Sequence, residues 1–198
     1  MSKQAAPFAA LVIHETNDFD KWKVLFDKHK DARVKASALG HHLQRGADNP
    51  NLLAVYVPAA DKDKMVAFLS GDDVRKIMKE AGIKGTPDIK VMKPMSEDAI
   101  LDRPTAGMIV VHKVNDYAKW RVGYDAFDAK RKELGIIGHA VNQLVDDANE
   151  VIVYHQAESV DALRKFADSA ELKSAMQNAG VAGPPQITFW NATPAVMY

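Results

Sequence analysis

The stretch Val12-Ile13-His14-Glu15-Thr16-Asn17-Asp18-Phe19-Asp20-Lys21-Trp22 is written a second time, 98 residues later, as Val110-Val111-His112-Lys113-Val114-Asn115-Asp116-Tyr117-Ala118-Lys119-Trp120. Working outward from this pair aligns residues 9–95 with 107–193 without a gap. About 23 positions are identical, against roughly 5 expected by chance. Gly40-His41 meets Gly138-His139, and Ala81-Gly82-Ile83-Lys84-Gly85 meets Ala179-Gly180-Val181-Ala182-Gly183. Solenoid repeats run about 20–50 residues, so this longer period is a duplicated domain. The polar segment Pro94 to Ala106, with its two prolines, reads as a connector. The expected organisation is one repeat over 7–95, a connector over 96–106 and a second repeat over 107–198.

Within one copy, Ala9 to His14 is a short apolar run that predicts a strand. Asn17 and Asp18 are helix-capping types, and Phe19, Trp22, Phe26, His29 and Arg33 then recur at helical spacing. Tyr117, Trp120, Tyr124, Phe127 and Arg131 repeat that stripe. The spacing predicts one helix stopped by Gly40, followed by a strand from His41 to Arg45. Asp48-Asn49-Pro50-Asn51 marks a hairpin turn before the strand Leu52 to Val57. Met65 to Met78 predicts a helical region interrupted at Gly71, Gly82 ends it, and Pro87 to Met92 is the last strand. The order βαββαβ is the ferredoxin-like split unit, and the fold class is α+β.

Ala10-Leu11-Val12-Ile13, Met108-Ile109-Val110-Val111 and Val151-Ile152-Val153-Tyr154 are apolar at both parities. A sheet with helices on one side and water on the other would alternate instead. Leaving about ten such side chains wet would forgo roughly 15–30 kcal/mol gross, at about 1.5–3 kcal/mol each. The expected architecture therefore packs the two repeats sheet to sheet as an intramolecular dimeric α/β-barrel. A connector of about 13 residues reaches roughly 40 Å, enough to allow it.

The 198 residues carry 26 basic and 26 acidic side chains, 47% hydrophobic residues and no cysteine. Net neutrality gives no field for nucleic acid or an anionic membrane. Without cysteine there is no disulfide, thiolate metal site or cysteine nucleophile. Met1 to Pro7 has no apolar core for a signal peptide, and no run approaches the ~18 apolar residues of a membrane span, so a cytoplasmic protein is expected. No dinucleotide fingerprint, Walker loop or nucleophile elbow is present.

The Asn-Asp-aromatic-x-Lys-Trp segments, Arg33 and Arg131, the Gly-His pairs and the Ala-Gly-x-x-Gly-x-Pro segments resemble the dimeric α/β-barrel superfamily, in a tandem single-chain form related to antibiotic-biosynthesis-monooxygenase-like proteins. The resemblance implies the fold across nearly the whole chain. It extends to cofactor-free monooxygenases, isomerases, haem-binding members and ligand-sensing domains, and fold does not choose among them.

The residues place a candidate pocket between the first helix and the sheet of each half. Its ligand-binding candidates are Trp22, Phe26, Arg33, His41 and Tyr56, with Trp120, Tyr124, Arg131, His139 and Tyr154 as their copies. Trp22, Phe26 and Arg33 share one helical stripe, so the arginine can reach an anionic group in an apolar pocket. With the hairpin turning at Asp48–Asn51, His41 is expected across from Pro58 and on the face of Tyr56. His14 and His41 are expected at opposite sheet edges and unable to share a metal; no cofactor and no metal are expected. His155 stands where the first copy has Val57 and is open as an axial ligand. Differences between the copies, such as His29 against Phe127, predict unequal pockets.

The leading functional expectation is the binding of a small, partly apolar molecule. A cofactor-independent monooxygenase or isomerase acting on an aromatic substrate, and a structural or oligomerisation protein, are the alternatives. A small-molecule ligand and a homo-oligomer are left open as partners, whereas nucleic acid and membrane are excluded.

Overall fold

The computed structural model describes residues 6–198; the signal-peptide reading of Met1–Ala5 lies outside them. The chain divides into two compact units, Met1–Lys93 with Thr193–Tyr198, and Pro94–Ala192. Each is a ferredoxin-like βαββαβ repeat, and the fold class is α+β.

The first unit runs β1 (Phe8–Thr16), α1 (Phe19–Lys28), α2 (Lys30–Lys35), β2 (Gly40–Gly46), β3 (Leu52–Ala59), α3 (Lys62–Ser70), α4 (Asp72–Glu80) and β4 (Ile83–Asp98), whose last residues belong to the second unit. The second runs β5 (Thr105–Val114), α5 (Tyr117–Ala126), α6 (Asp128–Glu133), β6 (Gly138–Leu144), β7 (Glu150–Ala157), α7 (Val160–Asp168), α8 (Ala170–Asn178) and β8 (Val181–Ala192). β9 (Val196–Met197) returns to the first unit. β1 pairs antiparallel with β3 and β4, and β2 pairs with β3. β5 likewise pairs with β7 and β8, and β6 with β7.

Asp18 caps α1 by accepting the Lys21 N–H at 3.1 Å, and Asp116 caps α5 by accepting that of Lys119 at 3.1 Å. Each such acceptor satisfies a helix-end donor that would otherwise be unpaired. Gly82 (φ +73°) and Gly180 (φ +78°) end the second helical region of each unit in the left-handed conformation. The helix expected up to Gly40 is instead two, broken at His29 and, in the copy, at Phe127, where the backbone leaves α geometry. It ends at Ala36, and Gly40 opens β2, because Ser37 takes the turn with φ +70°. Gly71 divides α3 from α4 as expected.

Both faces of the central strands are dry. On the helix side lie Ala10, Val12, Leu53 and Val55, with Trp22 and Met65 packed on them. On the opposite face Leu11, Ala54, His42 and Gln44 are also buried. The whole segment from Val151 to Ala157 is buried at both parities. No helix of the described residues is long and apolar enough to cross a membrane.

The polar segment read as a connector is partly strand: β4 runs on to Asp98 and β5 begins at Thr105. At its centre the Gln156 side chain brackets Ile100, accepting its N–H at 2.7 Å and donating to its carbonyl at 2.8 Å. The segment Thr193–Tyr198 lies on β2 of the first unit, with Gly40 opposite Met197 and His41 opposite Val196. A Cβ on Gly40 would collide with the Val196 carbonyl oxygen, so glycine here permits the close approach.

Candidate functional site

Each unit holds a column of rings ending in an arginine. In the first, Phe19, Trp22 and Phe26 stack along α1, Trp22 and Phe26 with centroids 4.8 Å apart and planes 16° from parallel. The Arg33 guanidinium lies 3.7 Å from the Phe26 ring centre. In the second, Trp120 and Tyr124 stack at 4.9 Å and Arg131 sits 3.9 Å from the Tyr124 ring. Steps of three or four residues bring the rings to one face, and the arginine arrives from the next short helix. Both arginines are buried, yet the planar cation keeps favourable contact over a π-face.

Beside each column is an apolar cavity between the helices and the sheet. The first, about 100 Å³, is lined by His14, Trp22, Phe26 and Arg33, with Val55, Val57, Met65 and Phe68 opposite. The second, about 50 Å³, is lined by His112, Trp120, Tyr124, Arg131, Val153 and His155. It is smaller where His155 and Leu172 replace the shorter Val57 and Val74.

His14 sits where β1 slips register against β4, and His112 where β5 slips against β8. Such irregularities re-aim a side chain. Neither imidazole finds a hydrogen-bond partner, and burial pulls both down to a pKa of about 4. His155 is equally unpartnered and is held well below the usual range by burial and then by Arg131. All three are therefore neutral near pH 7.

The expected site residues divide into three groups. Trp22, Phe26 and Arg33, and Trp120, Tyr124 and Arg131, line the cavities. His41 and His139 stand behind the columns, edge-on to Phe26 at 4.9 Å and to Tyr124 at 5.8 Å. Tyr56 and Tyr154 belong to the other face of the sheet. The observed register sets His42 opposite Tyr56 and Ala140 opposite Tyr154, so the expected pairing of His41 with Pro58 is corrected by one residue. A one-residue slip exchanges the faces of every side chain on a strand, which removes both tyrosines from the pockets. Tyr154 is instead pushed up to about 12 by burial, and its hydroxyl accepts from Gln156.

Two residues that the sequence did not single out complete the clusters. The Tyr198 hydroxyl accepts from Arg33 Nε at 2.6 Å and lies 3.0 Å from His41 Nδ1. In the second unit the phenol on the histidine comes from within the column: the Tyr124 hydroxyl is 3.1 Å from His139 Nδ1. The other is Asp128, whose carboxylate pairs with Arg131 at 3.1 Å, Lys132 at 2.8 Å and His139 Nε2 at 3.4 Å. Burial first, then Arg33, brings His41 to about 4, and burial and Arg131 lower His139. In both units a histidine ring nitrogen thus lies within hydrogen-bonding distance of a phenol.

No family model and no curated protein matches the chain. Solved structures do. An anthrone oxidase-like protein superposes with a TM-score of 0.70 and 16% identity over 95% of this chain and 92% of its own. A ferredoxin-fold protein of Listeria monocytogenes related to antibiotic biosynthesis monooxygenases has a TM-score of 0.56 and 9% identity, covering 96% and 95%. A monooxygenase-like protein of Listeria innocua gives 0.55 and 10%, covering 93% and 94%. The chain has their fold. At these identities the ferredoxin-like fold is what is shared, and chemistry has to be argued from the pockets.

Proposed function

We propose that this ferredoxin-like protein binds a small, mostly apolar molecule in the cavity between the first helix and the sheet of its repeats. Trp22, Phe26 and Arg33, and their copies Trp120, Tyr124 and Arg131, would contact it, while His41 and His139 hold the aromatic columns from behind. The observation that supports this reading is the pairing of an apolar, ring-lined cavity with a buried arginine and an unpartnered neutral imidazole in each unit. Buried polar groups without partners are uncommon, and a few convergent polar groups in an apolar pocket are the usual signature of a ligand site.

Calorimetric titration with benzamide, a planar probe with one polar group, tests it. Saturable heat that is lost when the cavities are filled by Val55→Phe and Val153→Phe together is the expected result. Absence of binding to a folded wild-type chain would refute the reading.

A second reading is favoured by the fold shared with an anthrone oxidase-like protein. A cofactor-independent monooxygenase or isomerase would use the same cavities, with a neutral histidine accepting a proton from an aromatic substrate. Oxygen uptake with an anthrone, abolished when His14→Leu and His112→Leu are combined, is its test.

A further inference from the structure

The two buried arginines differ in how their charge is met. Arg131 is 2% exposed and forms an ion pair with Asp128, three residues earlier on the same short helix. The residue at the position equivalent to Asp128 in the first unit is Lys30, and the position equivalent to Lys132 is Val34. Arg33, 6% exposed, consequently has no carboxylate partner among the described residues. Its Nη1 donates to the Phe26 carbonyl and its Nε to the Tyr198 hydroxyl, both neutral acceptors. Its Nη2 donates to no protein group among the described residues. Asp27 on the preceding helix is engaged with Lys23, and Lys30 on Arg33's own helix holds its ammonium 5.1 Å from the centre of the Tyr198 ring.

A buried cation without a counter-charge is a costly arrangement, and such charges in proteins are ordinarily paired. Arg33 lines the larger cavity, whose remaining walls are almost wholly apolar. Building on the small-molecule reading above, we infer that the first unit's cavity takes a monoanionic ligand, an aryl or alkyl carboxylate whose apolar body lies against Trp22 and Phe26 and whose charge meets Arg33. The second unit's cavity, with Arg131 already neutralised by Asp128, takes an uncharged one. One duplicated pocket has thus become two of different charge selectivity, and the determinant is the residue three positions before the arginine.

Benzoate and its uncharged analogue benzamide, titrated calorimetrically into the full chain, separate the two selectivities. Wild-type protein should bind one benzoate per chain, at least tenfold more tightly than it binds benzamide in the same unit. Lys30→Asp supplies the first unit with the carboxylate of the second, at an exposed helical position where folding is not at risk. It should erase the benzoate preference and leave benzamide binding unchanged. Asp128→Lys should raise the benzoate stoichiometry to two. A benzoate preference that survives Lys30→Asp, or benzamide bound as tightly as benzoate by the wild type, overturns the charge assignment while the pocket reading stands. If neither probe binds, the pocket reading falls and the charge assignment with it.

Discussion

Arg33 and Tyr198 meet through a 2.6 Å hydrogen bond from Nε to the phenol oxygen, although 165 residues separate them in the chain. The same hydroxyl reaches His41 at 3.0 Å. The second unit builds the equivalent phenol–imidazole contact from Tyr124, where the first unit has Phe26. Two different chain positions supply one chemical group at the same place in the repeat.

Tyr198→Phe removes the hydroxyl and leaves Arg33 Nε without its acceptor. A hydrogen bond to a charged group contributes about 1.5–3 kcal/mol, so urea denaturation should show a loss of that order. The double substitution Phe26→Tyr with Tyr198→Phe moves the phenol to the position it has in the second unit. Partial recovery of the urea midpoint is expected; no recovery would show that the contact is peculiar to the tail.

Gly40→Ala places a methyl group against the Val196 carbonyl and should push β9 away from β2. Overpacking of this kind costs about 1–3 kcal/mol. The informative measurement is hydrogen exchange: the amides of Thr193 and Tyr198, which donate to Leu43 and Leu39, should lose protection, whereas those of β7 should not.

Acid should destabilise the protein well before its carboxylates titrate. His14 and His112 have folded pKa values of about 4 against an ordinary 6.5, because charging them would bury an unpartnered cation. The unfolded chain binds the protons, so stability is complete above about pH 6.5 and falls as pH descends toward 4. By this linkage each histidine withdraws about 2 kcal/mol at pH 5 relative to pH 7.5. Denaturation curves at both pH values should show that difference shrinking in His14→Gln and again in the double variant with His112→Gln. An unchanged pH slope in both would contradict the burial assigned to these rings.

Tyr56→Phe and Tyr154→Phe serve as controls for the register. Both side chains leave the opposite face of the sheet, so benzamide affinity should change less than twofold. A tenfold loss in either would return the tyrosine to the pocket and contradict the pairing of His42 with Tyr56.

Much of the molecule is legible in the sequence because it rests on local periodicity. The 98-residue duplication, the βαββαβ order, the capping by Asp18 and Asp116, and the Phe19–Trp22–Phe26 stripe all follow from neighbours within a few turns of chain. The dryness of both sheet faces was readable too, since Leu11 and Val12 are both apolar and both buried. The helix break at His29 was not, because the apolar stripe passes through it with no glycine or proline to mark the kink.

By itself the sequence determined two ferredoxin-like repeats, each with an arginine closing a column of rings. Tertiary structure alone decided which polar groups meet those columns. A single residue of strand register moved Tyr56 and Tyr154 off the pocket face, because side chains alternate with period two. The Tyr198 phenol reached His41 across 157 residues, a separation that carries no periodic signal. The charge on Arg131 is paired with Asp128 while Arg33 donates only to neutral acceptors, since a buried guanidinium is met only by what the fold brings within hydrogen-bonding reach.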